Sequence, residues 1–286
     1  KYETGYIGGD ISNPNVKAKL LTELKFWQKK HKIKEPDVLI STPPCQGMSV
    51  ANHKKNDEKS RNSLVIESIK VTQELLPKFF IYENVRAFLN TICTDIDGID
   101  KPIKEAIKYN LGGQYNILSK IVNFKEYGSN SSRTRTLVIG IRKDIQDVSP
   151  FDIFPKKQKA KTLRQLIGDL PRLEEMGEIS EDVFHAYREF DKRMLPWIEN
   201  LEEGQSAFEQ TDELRIPHRI IDGKLVPNKS KNGDKYARWY WEKEGPCVHT
   251  RNDILSSQNT VHPKDNRVFS IRELMRMMSI PKSLKW

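Results

Sequence analysis

The sequence is poor in cysteine: Cys45, Cys93 and Cys247 are the only three in 286 residues. They are too few and too scattered for a disulfide framework or a cysteine-based zinc cluster, and such usage fits a reducing cytoplasm. No apolar run approaches ~18 residues, which excludes a membrane-spanning helix. The opening residues Lys1-Tyr2-Glu3-Thr4 carry no apolar stretch of the secretory type. Internal repeats and low-complexity tracts are missing as well. Acidic residues are in deficit, 39 Asp and Glu against 48 Lys and Arg, which gives a net charge of +9. A basic chain points to a polyanionic partner, nucleic acid first. Mere solubility is the blander reading of the same charge. Hydrophobic residues make up 37% of the chain, enough for a core. The length allows one large domain or two small ones.

Apolar residues at Val16, Leu20, Leu21, Leu24 and Trp27 predict a helix over 15–30. Residues 37–41 read as a short buried strand that runs into Thr42-Pro43-Pro44. Two prolines end any regular element, so Cys45 is placed on a loop at a strand's carboxyl end. Residues 51–61 are polar and charged and read as an exposed loop. Leu64, Ile66, Ile69, Val71 and Leu75 predict a helix over 63–76, closed by Pro77. A buried strand over 79–82 then delivers Glu83-Asn84-Val85 at its end. Further strands are expected over 115–124 and 136–141. Near Val148 the texture changes, and Ser149-Pro150 and the stretch 154–159 read as a connector. Beyond it the chain is irregular, with turns expected at Asp222-Gly223 and Asn232-Gly233. Regularity returns over 268–278 as a strand or turn leading into a helix. Alternation of strand and helix predicts an open α/β sheet, with ligands beyond the carboxyl ends of its strands.

Three groups could carry chemistry. Cys45, between Pro43-Pro44 and Gln46-Gly47, is placed for nucleophilic attack if its surroundings favour the thiolate. Cys93 and Cys247 lack that setting and read as structural. Glu83, at the end of an apolar strand, is either a strand-end cap or a desolvated carboxyl able to donate a proton. Arg133 and Arg135 lead into a strand, where alternate residues point the same way. They form either a solvated face or a clamp for an anion or carbonyl.

Together these segments resemble the C5-cytosine DNA methyltransferases. Pro44-Cys45-Gln46 is similar to that family's nucleophile motif and Glu83-Asn84-Val85 to its Glu-Asn-Val motif. Ser60-Arg61-Asn62-Ser63-Leu64 resembles its Arg-x-x-Leu segment, and Arg133-x-Arg135 its Gln-x-Arg-x-Arg motif, with Ser131 where the glutamine is expected. Gly9-Asp10-Ile11 resembles the segment that meets the cofactor adenine. Residues 238–250, with Gly245-Pro246, resemble the segment that braces the recognition domain. The run from His262-Pro263 to Ile280-Pro281, with Arg272-Glu273 and Met277, resembles the one that follows it.

The resemblance implies a Rossmann-like, S-adenosylmethionine-dependent α/β sheet with a smaller, irregular target-recognition domain. The implied division is a catalytic domain over 1–148, a recognition region over 149–235 and a return segment over 236–286. It implies that Cys45 attacks C6 of a flipped-out cytosine, that Glu83 binds N3 and the exocyclic amine, and that Arg135 contacts O2 with Arg133 in support. Asp10, Ile11, Pro44 and Leu64 are the implied cofactor contacts. Gln46, Ser49, Lys54, Lys55, Arg61, Lys229, Lys231 and Lys235 are the implied contacts to double-stranded DNA, with Lys156, Lys157, Lys159, Arg215 and Arg219 as further candidates. No metal is implied. A restriction endonuclease partner and a bacterial, nucleoid-associated location are also expected. The family's Gly-rich cofactor loop would precede Gly9 and its closing motif would follow Trp286. The chain is therefore expected to be the middle of such an enzyme, inactive by itself. A DNA-binding module without catalysis, or a thiol enzyme acting on a small pyrimidine, are the rival readings.

Overall fold

The computed structural model describes residues 5–44, 64–179, 181–229, 233–281 and 284. Two compact units emerge: one takes in Lys1–Val122 and Thr134–Pro155, the other Asn123–Arg133 and Lys156–Trp286.

The first unit opens with helix α1, Pro14–His31. Asn13 caps it by accepting from the Asn15 amide, Pro14 fits its first turn, and Lys32 ends it in the left-handed region at φ 54°. Strand β1 (Val38–Ser41), helix α2 (Leu64–Leu75) and strand β2 (Phe79–Asn84) follow. β1 and β2 pair in parallel, from Val38 opposite Phe79 to Ser41 opposite Tyr82. A short hairpin of β3 (Ile92–Thr94) and β4 (Asp100–Pro102) leads into helix α3, Ile103–Leu111. Strands β5 (Tyr115–Asn123) and β6 (Thr134–Arg142) complete a four-stranded sheet in the order β1-β2-β6-β5, with β6 antiparallel to β2.

The core of this unit forms where α2 and α3 meet the sheet. Val65, Ile66 and Ile69 of α2, Ile103 and Ile107 of α3, and Phe80 and Tyr82 of β2 are all buried. Tyr82 places its hydroxyl 2.6 Å from Thr72 Oγ1 and donates to the Ser68 carbonyl, so a buried phenol keeps its partners. The spacing of Ile103, Ala106, Ile107 and Leu111 is helical, a signal available in the sequence but left unassigned there.

β1 corrects an expectation. It was read as buried, yet Val38 is 50% and Ile40 69% exposed. The cause is position: β1 ends the described sheet and has one strand partner, and Val38 and Ile40 share the pleat face opposite Leu39.

The second unit is sparing in regular structure. Helix α4 (Leu163–Ile167) starts at a Thr162–Gln165 capping box, and α5 spans Leu195–Ile198. Strands β7 (His218–Ile221) and β8 (Lys224–Pro227) form a hairpin. Its turn is the expected Asp222-Gly223, at φ 50° and 74°, the double positive φ that such two-residue loops require. Asn232, of the other expected turn, lies outside the described residues. Helix α6, Ile271–Met277, is capped by Ser270 and Glu273.

Buried guanidinium groups replace strand ladders here. Arg238 is 4% exposed and donates to the carbonyls of Leu201, His262, Asp265 and Ile198 and to Asn266 Oδ1. Arg267 meets Glu273 with two bonds of 2.9 and 2.8 Å. Burial, with Arg267 and Arg238 nearby, holds His262 well below the usual histidine range. Its ring is therefore neutral, and Nδ1 accepts from the Asp265 amide.

Gly140 generates the first prediction. It lies opposite Phe80, and a Cβ there would fall 2.0 Å from the Phe80 ring. That ring packs edge-on against Tyr115 within the core, so it has nowhere to retreat. Gly140→Ala is expected to destabilise the fold by about 1–3 kcal/mol, seen as a lower melting temperature by circular dichroism. An unchanged melting temperature would refute this packing.

Candidate active site

The carboxyl ends of β1 and β2 carry the site. Between β1 with the residues that follow it, residues 9–11 and α2 opens a cavity of about 550 Å³. It is lined by Gly9, Asp10 and Ile11, by Leu39 to Pro44, and by Leu64, Glu67 and Ser68, among others. Asp10, Ile11, Pro44 and Leu64, which the sequence put forward as cofactor contacts, thus line one cavity. Asp10 is drawn into a turn: its carboxylate accepts from the Ser12 amide and hydroxyl, which lowers its pKa. The opposite wall is apolar, and Ser41 and Ser68 join hydroxyls at 2.6 Å. The size and the mixture of an apolar wall with a few polar groups suit a small organic ligand.

Asn84 sets the geometry above this cavity. It is 3% exposed, and its Nδ2 donates to the Pro43 carbonyl at 2.8 Å. Its Oδ1 accepts from the Val85 amide. The Thr136 hydroxyl, fully buried, donates to the Val85 carbonyl at 3.1 Å. The loop entering Cys45 and the end of β2 are thereby fixed to each other. The sequence placed Asn84 in a motif without assigning it this bond. A buried amide side chain beside a Pro-Pro carbonyl is a tertiary fact, because the two are 41 positions apart.

Glu83 and Arg135 meet across β2 and β6, with Oε1 and Nε 2.9 Å apart. Glu83 was read as either a strand-end cap or a desolvated carboxyl. Its side chain is 28% exposed and paired with a guanidinium, so the strand end holds a charge pair. Arg133 sits differently. β6 begins at Thr134, so the shared-face argument reaches Arg135 alone. Arg133 belongs to the second unit, where its guanidinium donates to the Val248 carbonyl at 3.4 Å.

Of the other residues put forward, Cys45, Gln46, Ser49, Lys54, Lys55, Arg61 and Lys231 lie outside the described residues, as does the expected loop over 51–61. Lys229 and Lys235 are exposed and line one cavity of the second unit. Lys157 and Arg215 are engaged by carboxylates, Glu126 at 2.7 Å and Asp212 at 3.5 Å. Cys93 is buried, and burial pushes its thiol up to about 11, as befits a structural cysteine. Cys247 corrects the expectation of a structural role for both: it is exposed. Among the described residues no His, Cys, Asp and Glu cluster could hold a metal, and no helix is long and apolar enough to cross a membrane.

Comparison with known proteins gives these residues a context. A family model described as C-5 cytosine-specific DNA methylase matches residues 13–286. The Type II methyltransferase M1.HgaI of Avibacterium volantium is 31% identical over 258 residues, covering 86% of this chain and 69% of that protein. M.XorII of Xanthomonas oryzae pv. oryzae is 30% identical over 278 residues, covering 86% and 60%. The crystal structure of a DNA modification methyltransferase encoded within an E. coli prophage matches with a TM-score of 0.60 at 20% identity, over 94% of this chain and 74% of that one. At that identity the likeness is one of fold.

Asn84 yields a test with a defined sign. Asn84→Asp keeps the acceptor for the Val85 amide but loses the donor to Pro43. An ionised carboxylate would then face a buried carbonyl oxygen, which raises the folded-state pKa of the new group. Protonated, it can donate again. Its destabilisation relative to wild type should therefore be small below pH 4 and grow as pH rises through the raised pKa. By neutral pH it should exceed that of Asn84→Ala, for which about 1–3 kcal/mol is expected from the unpaired carbonyl. Melting of the three proteins between pH 4 and 8 checks this. A difference that does not vary with pH would show that Asn84 does not donate to Pro43.

Proposed function

The chain belongs to the C-5 cytosine-specific DNA methylase family, whose members take their methyl group from S-adenosylmethionine, and from that premise we propose that Cys45 forms a transient covalent bond to C6 of a cytosine in DNA. Cytosine C5 is a weak nucleophile. Addition of a thiolate at C6 breaks the aromaticity of the ring and makes C5 enamine-like. The methyl donor supplies an electrophilic carbon to C5, after which the C5 proton is lost and the C6–sulfur bond breaks to release the thiol.

The observation that carries this reading is the joined pair of strand ends. Asn84 holds the Pro43 carbonyl, two residues before Cys45, and Glu83 stands next to Asn84 in ion pair with Arg135. The loop up to Pro44 and the strand end that carries Glu83 are thus held together, which is the positional contribution an enzyme makes. We assign Glu83 to N3 and the exocyclic amine: negative charge builds on N3 as the thiolate adds, and a protonated Glu83 donates to it. Arg135 is assigned to O2. In the absence of a base the two groups satisfy one another; a cytosine edge replaces the pair by matched contacts, its N3 accepting from a protonated Glu83, its amine donating to the other carboxyl oxygen and its O2 accepting from Arg135. Arg133 is assigned a supporting role through the chain turn that precedes β6.

The cavity below is proposed as the methyl donor's seat, with Asp10 toward the adenine and Ile11, Pro44 and Leu64 as its apolar walls. Its volume of about 550 Å³ lies in the usual range for such a ligand. The target base cannot react within a duplex and must be extruded. Gln46, Ser49, Lys54, Lys55 and Arg61, flanking the nucleophile, are assigned to that DNA. We further assign residues 149–235 to target recognition, with Lys229, Lys231 and Lys235 as DNA contacts, and 236–286 to the return segment. The Type II relatives support a restriction-linked role.

Two measurements test the reading. Duplex DNA carrying 5-fluorocytosine cannot shed fluorine as it sheds a proton, so the enzyme with S-adenosylmethionine should leave an adduct that survives a denaturing gel. Cys45→Ala should give neither adduct nor tritiated-methyl transfer. Transfer at wild-type rate by Cys45→Ala would overturn the mechanism. Glu83→Gln keeps the shape without the charge, and its methyl-transfer rate should fall ~100-fold or more. A rate within threefold of wild type would reduce Glu83 to a structural partner of Arg135.

A further inference from the structure

The second unit carries a feature that the reaction at Cys45 leaves unexplained. β7 and β8 form a two-stranded ribbon with two exposed isoleucines just before its Asp222-Gly223 turn: Ile220 is 65% and Ile221 46% accessible. Consecutive strand residues face opposite sides, so the ribbon presents an isoleucine on each face. The base of the ribbon is anchored. His218 packs edge-on against Trp197 with ring centroids 5.4 Å apart, and its Nδ1 lies 2.8 Å from the Ile216 carbonyl. The Asn228 amide donates to the Pro217 carbonyl at 2.7 Å. A ribbon fixed at its base, with two β-branched side chains offered to solvent, is built to meet something.

The charge around it says what. Residues 215–235 contain six Lys and Arg against two Asp. Several arginines elsewhere in the unit are paired with carboxylates: Arg164 with Glu242, Arg188 with Asp253, Arg193 with Asp191, Arg272 with Asp182, Arg276 with Asp169. Arg219 on β7 has no carboxylate partner among the described residues. At the foot of the ribbon it lines a cavity of about 480 Å³ with Lys229 and Lys235, against Phe208, Val226 and Tyr236. Among the described residues no carboxylate lines that cavity. Three cations around a concavity without a counter-charge suit a phosphodiester.

We infer that the ribbon His218–Pro227 enters the major groove of the substrate DNA, with Ile220 and Ile221 reading base edges and the cavity of Arg219, Lys229 and Lys235 holding a backbone phosphate. This rests on the family's action on DNA and adds which element discriminates sequence. The major groove is about 12 Å wide and admits a two-stranded ribbon. Apolar side chains there distinguish the thymine C5-methyl from the polar edges of other bases. Cations at the ribbon's foot set its depth and register without reading sequence. The division of labour is testable because the two kinds of contact respond to different variables.

A pool of random duplexes enriched on the wild-type protein defines its preferred sequence. Binding to that duplex and to its single-pair variants is then measured by fluorescence anisotropy over a range of salt. Ile220→Thr with Ile221→Thr retains β-branching while removing apolar surface. It should cut the preference for the best duplex about tenfold or more at one or two positions and leave the salt dependence unchanged. Lys229→Gln with Lys235→Gln should weaken all duplexes alike and lower the slope of log affinity against log salt by about one to two. A ribbon variant that keeps its preference within twofold overturns the inference, as does a wild-type protein that selects no sequence. Should the ribbon variant fail to fold, 5-iodouracil serves on the wild-type protein, since its iodine stands where the thymine methyl projects into the groove. Irradiation should attach it to the peptide containing 218–227, and attachment only elsewhere overturns the assignment. Binding is read apart from methyl transfer. Selective binding through the ribbon without a 5-fluorocytosine adduct would refute the proposed reaction and leave the ribbon's role standing.

Discussion

One hydrogen bond organises the candidate active site: Asn84 Nδ2 to the Pro43 carbonyl, 2.8 Å long and out of water. Parallel pairing of β1 with β2 brings the two strand ends to the same edge of the sheet, but pairing stops at Ser41 opposite Tyr82. Beyond that register the chains would part, since Pro43 and Pro44 cannot donate to a ladder. Asn84 extends the link by one side chain. It satisfies a carbonyl that the prolines strand, and the Thr136 hydroxyl does the same for Val85 from β6. A sheet edge that would otherwise fray becomes a rigid rim. That rim carries Glu83 on one side, the entry to Cys45 on another and the apolar cavity beneath. An unpaired buried carbonyl costs ~1–3 kcal/mol, so these bonds hold the rim together.

The second unit solves a different problem by related means. Few of its residues lie in helices or strands, so its backbone carbonyls need other partners. Arg238 supplies hydrogen bonds to four of them from a single guanidinium. Arg267 is neutralised by Glu273 and Asp265. A buried guanidinium is costly unless its N–H groups are engaged; Arg238 engages them with carbonyls and Asn266, and Arg267 with carboxylates that also balance its charge. Such an interior fixes irregular loops in place. It leaves the outer segments free to differ in charge and shape, and the β7–β8 ribbon is one of them.

The elements that position the site were legible because each depends on short-range pattern. Helix α2 followed from the spacing of Leu64, Ile66, Ile69, Val71 and Leu75, and β2 from four apolar residues before Glu83. The family was legible from ordered motifs, and the model match over 13–286 establishes it. Three features depend on contacts a linear pattern cannot carry. Val38 and Ile40 resemble core residues, but burial depends on what lies across the sheet. Glu83 reads as an acid on an apolar strand, but its partner Arg135 arrives from a strand 52 residues further on. Lys157 and Arg215 read as candidate DNA contacts or solvated surface, and the carboxylates that engage them come from Glu126 and Asp212.

The sequence by itself determined the class of fold, the order of the chemical motifs and the excess of positive charge, since composition, periodicity and motif spacing are properties of the chain alone. Tertiary structure decided which of those charges remain available. It joined Asn84 to Pro43 and Glu83 to Arg135, enclosed Arg238, and left Arg219, Lys229 and Lys235 around one cavity with no carboxylate among the described residues that line it. The physical reason is that a charged or polar group has meaning only with its partner and its solvent, and both are fixed by packing between residues tens of positions apart.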